Sequence, residues 1–142
     1  MATKINFNGE IHDQLSISVL DHGFLFGDSV YEVVCTINNQ PCFLEKHLGR
    51  LFASAKAISL NIPHDNEWFR EQLKVTLGAA DNDESYIRII VTRGIGEINI
   101  DPTTCHSPNI IIIVMAVKEY PEPCYEKGIH VALVSIKRNA RD

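Results

Sequence analysis

Arg50, Tyr86 and Arg88 are the side chains best equipped to bind an anion. Arg50, in HLGRL, lies off the apolar stripe of its segment. It is either an ordinary solvated side chain or a guanidinium that reaches to a sheet edge and clamps a phosphate by paired hydrogen bonds. Tyr86 and Arg88, in SYIRIIVTR, fall on one face of an alternating run. A central strand seldom carries two such groups on one face without purpose, so they are either structural polar residues or part of a binding surface. The stretch DHGFLFGDSVYEVV, residues 21–34, crowds glycines, aspartates and aromatics ahead of a strand. It is no phosphate loop of the GxGxxG kind, because Gly23 and Gly27 are separated by three residues and a strand follows. Two readings stay open. In one, its glycines supply unusual dihedrals and Asp21 or Asp28 caps local backbone. In the other, Tyr31 and Val33 project together as one wall of a site. Ile98 and Ile100 are core plugs or an apolar lid. The six histidines form no nucleophile–base constellation, and GxSxG and HExxH are absent, which argues against hydrolase chemistry.

Alternation and turn chemistry predict the elements that hold these residues. Asn8-Gly9 suits the positive φ angles of a tight turn, so residues 4–12 read as a hairpin. Residues 30–37 alternate, with Tyr31, Val33, Cys35 and Ile37 on one face and Val30, Glu32, Val34 and Thr36 on the other. Asn38 to Pro41 turns the chain into a short strand expected at residues 42–44. Leu48, Leu51, Phe52, Ala55 and Ile58 recur at helical intervals and predict a helix over residues 45–59. A second helix starts after Pro63, capped by Asp65 or Asn66, with Trp68, Phe69, Leu73 and Leu77 inward and Gly78 weakening it. Residues 85–93 form the next strand. NIIIIVMAV, without alternation, fits a central strand covered on both faces. Proline, glycine and charge in KEYPEPCYEKG read as a linker, and IHVALVSI as a fresh strand after it.

A chain of 142 residues suffices for one domain. The expected organisation is a small domain over residues 1–118, an interdomain linker over 119–128 and the truncated start of a second domain over 129–142. The fold class is α+β, a mostly antiparallel sheet flanked by two helices, plus the first strand of that second domain. The composition, 45% hydrophobic and 22% charged, is that of a soluble globular protein. No apolar run approaches the ~20 residues of a membrane span, and the N-terminus resembles no signal or transit peptide, so a cytoplasmic location is expected. The net charge of −5, without a basic cluster, argues against nucleic acid and anionic membranes as partners. Four cysteines without a CxxC pair favour reduced thiols over a disulfide framework or zinc, and no metal is expected.

Taken in order, NGEI, LDHGFLFGDSVYEVV, FLEKHLGRLFASAKAISLNIP, YIRIIVTRGIGEINIDP, PNIIIIV and GIHVALVSIKRN resemble the N-terminal part of the class IV (fold type IV) pyridoxal-phosphate aminotransferases. The resemblance covers almost the whole chain. It implies pyridoxal 5'-phosphate as cofactor, with Arg50 as the arginine that holds its phosphate. It implies Tyr31 and Val33 as pocket-lining residues and Tyr86 and Arg88 as residues that help place substrate carboxylates. Phe26 and Ile100 match positions donated by a neighbouring subunit, which implies a homodimer with shared sites. The family often has tyrosine at the position of Phe26.

Members acting on D-amino acids use an arginine and a histidine where Ile98 and Ile100 stand, and aliphatic side chains cannot bind a carboxylate by charge. The RGxGxxxxDP loop and YIR are instead similar to the branched-chain enzymes, with Asn99 where glycine is common; asparagine tolerates a left-handed backbone. The expected reaction of the complete protein is transfer of the amino group of a branched-chain L-amino acid to 2-oxoglutarate. D-amino-acid aminotransferase, aminodeoxychorismate lyase and a non-catalytic stand-alone binding domain are the alternatives. The family's catalytic lysine and the glutamate paired with the pyridine nitrogen match nothing in this chain. They are expected beyond Asp142, and no catalytic residue is assigned here.

Overall fold

The computed structural model describes residues 2–136. One six-stranded antiparallel sheet, ordered β2-β1-β6-β5-β3-β4, is backed on one face by two long helices. Its strands are β1 (Lys4–Phe7), β2 (Glu10–His12), β3 (Ser29–Ile37), β4 (Gln40–Pro41), β5 (Ser85–Thr92) and β6 (Asn109–Ala116). The helices are α1 (His22–Leu25), α2 (Leu44–Ala57), α3 (Asn66–Ala80) and α4 (Glu122–Lys127), with a 3-10 turn at Pro102–Thr104. The α+β class and the flanking helices are as the sequence predicts.

The helix-backed face of the sheet is the core. Val34, Ile87, Ile89, Val91, Ile110, Ile112 and Val114 meet Leu48, Leu51 and Ala55 of α2 and Phe69 and Leu73 of α3, all nearly inaccessible. Each such large side chain contributes about 1.5–3 kcal/mol through burial. Phe69 stands edge-on to both Phe52 and Trp68, at 5.8 and 5.2 Å between ring centroids, which locks the two long helices together. Asp65 is the N-cap of α3; its carboxylate accepts the Trp68 N–H at 3.0 Å. Gly78 is accommodated inside α3, which runs on to Ala80 and closes on Asp81 in the left-handed region.

Two expectations are corrected, and the expected linker gains a helical turn. The short strand placed at residues 42–44 lies at Gln40–Pro41 instead. Asn38 and Asn39 both take positive φ and make the tighter two-residue turn, which leaves Leu44 to open α2. The linker over 119–128 contains a helical turn, α4, which Pro121 and Pro123 start rather than prevent, since proline suits the first turn. Residues 129–136 carry no strand. A strand exists only through its ladder partner, and among the described residues no edge pairs with this segment, whose side chains are exposed. The tail from Lys137 onward lies outside the described residues. No helix among the described residues is long and apolar enough to cross a membrane.

Candidate functional site

The face of the sheet away from the helices gathers four of the sequence-derived site residues. Antiparallel register sets Val33 opposite Arg88, Tyr31 opposite Ile90 and Cys35 opposite Tyr86. Tyr31, Val33, Tyr86 and Arg88 therefore share one face by strand periodicity alone. Tyr31 and Arg88 are diagonal neighbours, and the guanidinium carbon lies 4.6 Å from the centre of the Tyr31 ring. This cation–π contact holds a half-buried arginine in place without consuming its donors. The Arg88 Nε is buried and has no hydrogen-bond partner among the described residues. An orphaned guanidinium donor is costly to bury, and its natural complement is an acceptor from outside, above all a carboxylate.

Arg50 approaches β3 from the other side. Glu32, between Tyr31 and Val33, points to the helix-backed face and is only 3% exposed. Arg50 grips it with two donors, Nε to Oε1 and Nη2 to Oε2, both at 2.6 Å. His47, one turn earlier on α2, places its Nδ1 2.8 Å from Glu32 Oε2. An ionised carboxylate only accepts, so Nδ1 is the protonated ring nitrogen of this pair. The Arg50 guanidinium holds the Glu32 carboxyl below the usual range against the opposing effect of burial, and His47 adds to the lowering. Glu32 in turn raises the pKa of Arg50, keeping it charged at any working pH.

The Arg50 side chain is 68% exposed, and its Nη1 makes no hydrogen bond among the described residues. With Phe43, Lys46 and His47 it lines a cleft of about 250 Å³. Phe43 holds φ 51°, ψ 32° at the N-cap of α2, with Lys46 Nζ 5.2 Å from its ring centre. A bulky residue in the left-handed region is strained, and such strain concentrates at functional positions.

The segment over residues 21–28, ahead of β3, is a turn held by its aspartates. Asp21 is fully buried; one carboxylate oxygen accepts the Gly23 N–H at 2.8 Å. The other accepts Thr92 Oγ1 and Asn109 Nδ2 at 2.8 and 2.7 Å. Thus one aspartate caps α1 and ties it to β5 and β6. Asp28 takes two donors from Arg93, which also donates to the carbonyls of Ile58 and Ser59 after α2. Phe26 closes α1, partly exposed, with its ring edge-on to His22 at 4.9 Å. Ile98 and Ile100 are exposed in the loop before the 3-10 turn, so neither plugs the core. The structure thus unites Tyr31, Val33, Tyr86 and Arg88, sets Arg50 across β3 from them, and leaves Phe26 and Ile100 facing outward. Glu32 and His47 were not foreseen. A carboxylate between Val30 and Val34 on an apolar face was the available signal, since a buried acid needs a cation.

The fold, a sheet backed by helices on one face, is shared with a solved aminotransferase. The branched-chain amino acid aminotransferase of Escherichia coli superposes with a TM-score of 0.90 at 23% identity, over all of this chain and 49% of that one. Its fold is shared. The amino-transferase class IV model matches residues 29–142, and the chain belongs to that family. A Methanocaldococcus jannaschii protein provisionally named a branched-chain-amino-acid aminotransferase is 35% identical over 95% of this chain and 46% of its own length. The D-alanine aminotransferase of Listeria monocytogenes is 35% identical over 67% of this chain and 33% of its own. The chain therefore spans about half, or less, of the curated relatives it matches.

Proposed function

We propose that this chain is the substrate- and phosphate-facing part of a pyridoxal-phosphate transaminase that moves the amino group of branched-chain L-amino acids to 2-oxoglutarate. The observation that carries the reading is Arg88, pinned on Tyr31 with its Nε unpaired. A buried cationic donor on a face otherwise made of Val33, Ile90, Ile111 and Ile113 suits a ligand with a carboxylate and an aliphatic body. Both substrate classes are such ligands.

The residues present fit the cofactor. Arg50 has an exposed side chain, a fixed orientation and an Nη1 with no hydrogen bond among the described residues, and Lys46 adds donors to the same cleft, a set that suits a phosphate dianion. When bound, the cofactor supplies the electron sink for exchange of amino and oxo groups. This chain's residues would do the holding. Arg50 takes the phosphate, Glu32 and His47 keep Arg50 aligned, and Arg88 with Tyr86 takes the substrate carboxylate. Tyr31 and Val33 wall the pocket and exclude water. Over residues 29–34, β3 has no strand partner on its outer edge among the described residues. A ligand along that edge would meet Arg50 from one face and Tyr31 from the other.

Phe26 and Ile100, both outward, would complete a neighbouring subunit's pocket in a homodimer. Residues 1–118 would form the small domain, 119–128 the connection and 129–142 the entry to a second, cofactor-binding domain. The location would be cytoplasmic. The D-alanine relatives favour a second reading, D-amino-acid transamination, which the aliphatic Ile98 and Ile100 oppose.

Full-length protein loaded with pyridoxal phosphate and offered leucine, D-alanine and aminodeoxychorismate separates these. Turnover of leucine with 2-oxoglutarate is expected. Turnover of D-alanine alone would overturn the branched-chain reading, release of aminobenzoate would make it a lyase, and cofactor binding without turnover of any would leave a binding protein.

A further inference from the structure

We propose that Cys35 and Cys42 form a reversible intramolecular disulfide, a redox modification site at the rim of the pocket face. The β3–β4 hairpin sets Ile37 opposite Gln40 and Thr36 opposite Pro41. One step further along the same register Cys42 faces Cys35, and the Cys42 N–H donates to the Cys35 carbonyl at 2.9 Å. Opposed residues of an antiparallel pair have Cα atoms about 4.5–5.5 Å apart, inside the ~4.4–6.8 Å window that a disulfide spans. Opposed residues of an antiparallel pair project to the same side. Cys35 is exposed, Cys42 half-buried, and both thiols are free. The Cys42 sulfur lies 4.0 Å from the Gln40 carbonyl, so its side chain must turn to meet Cys35.

The remaining cysteines do not share this geometry. Cys105 has its thiol pushed up by burial and its sulfur against the Gly94 carbonyl. Cys124 lies in α4, on a separate segment.

The oxidant is a low-molecular-weight disulfide, RSSR. The Cys35 thiolate attacks one sulfur and expels RS⁻; the Cys42 thiolate then attacks the Cys35 sulfur of the mixed disulfide and expels the second RS⁻. Two cysteine thiols lose two electrons to give one S–S bond, RSSR gains them, and the two thiol protons end on the two RSH products. Exposed disulfides are the labile ones, so excess thiol reverses the step. Cys35 stands opposite Tyr86 and two residues from Val33, so the bond pins the strand end that borders the pocket face.

The test is exposure of the full chain to millimolar glutathione disulfide, followed by alkylation, intact mass and peptide mapping. A loss of two hydrogen masses, a linked peptide pair carrying Cys35 and Cys42, and reversal by dithiothreitol are expected. Cys35→Ser and Cys42→Ser should each convert that loss into a stable glutathione adduct on the remaining cysteine, with circular dichroism unchanged. Stable adducts on both cysteines of the unaltered chain, or a bond from either to Cys105, Cys124 or a second chain, would overturn the proposal. The unaltered chain decides the matter even if a variant fails to fold.

Discussion

Glu32 illustrates how one buried residue governs an exposed one. It donates no chemistry to a ligand, yet it fixes two of the nitrogens of Arg50 and engages His47. Glu32→Gln keeps the shape and removes the charge. Under the proposed function, pyridoxal phosphate should then bind about tenfold more weakly, and Arg50→Ala should weaken it by about 10–100-fold, the scale of a charge-assisted hydrogen bond. Absorbance titration of the apoprotein measures both. Glu32 also predicts a pH response. Its folded-state pKa is depressed below the ordinary ~4.3. Its contribution to stability is therefore complete above that ordinary value and is lost as pH falls through the lower folded value. The denaturation midpoint of the unaltered protein should decline over that acid window, and Glu32→Gln should flatten the decline. Periodicity alone put Tyr31, Val33, Tyr86 and Arg88 on their faces, because side chains alternate with a period of two. The Glu32–Arg50–His47 group was not legible, because the pairing joins a strand to a helix 15 and 18 residues away.

At the scale of elements, close approach decides what is tolerated. Gly94 has φ +96°, and a Cβ there would sit 1.8 Å from the Ser107 carbonyl oxygen. No flexible group can yield, because the obstacle is backbone. Gly94→Ala should destabilise by at least about 2 kcal/mol, combining overpacking with a strained dihedral, and chemical denaturation reads it directly. Asp65→Ala removes the cap of α3 and should cost about 1 kcal/mol in the same assay. The hairpins, long helices and main strands follow from turn residues and apolar spacing. The misplacement of β4 and the unforeseen α1 and α4 are failures of the same kind. Each of these elements is at most six residues long, too short for periodicity to speak, and each depends on caps or turns.

For the whole molecule, the two faces of the sheet have different fates. One is sealed by α2 and α3; the other bears Tyr31, Ile37 and Met115 at 58%, 65% and 41% exposure beside half-buried Ile90 and Ile113. An apolar face of this extent marks an interaction surface. Under the proposed reading a second domain or subunit covers it. The 142-residue chain alone should then bind a hydrophobic dye strongly and self-associate beyond a dimer in light scattering, and a longer product continuing into the matched relatives' second half should do neither. By itself the sequence determined the α+β class, the main strands and helices and which residues share the sheet face away from the helices, because alternation, helical spacing and turn chemistry are local and survive without neighbours, and the order of its motifs gave the family. Only tertiary structure decided that Arg50 is anchored by Glu32 and His47, that Arg88 is stacked on Tyr31 with a donor to spare, and that residues 129–136 form no strand. Ion pairs, stacking and strand pairing are properties of two segments at once, and their distances exist only when both are in place.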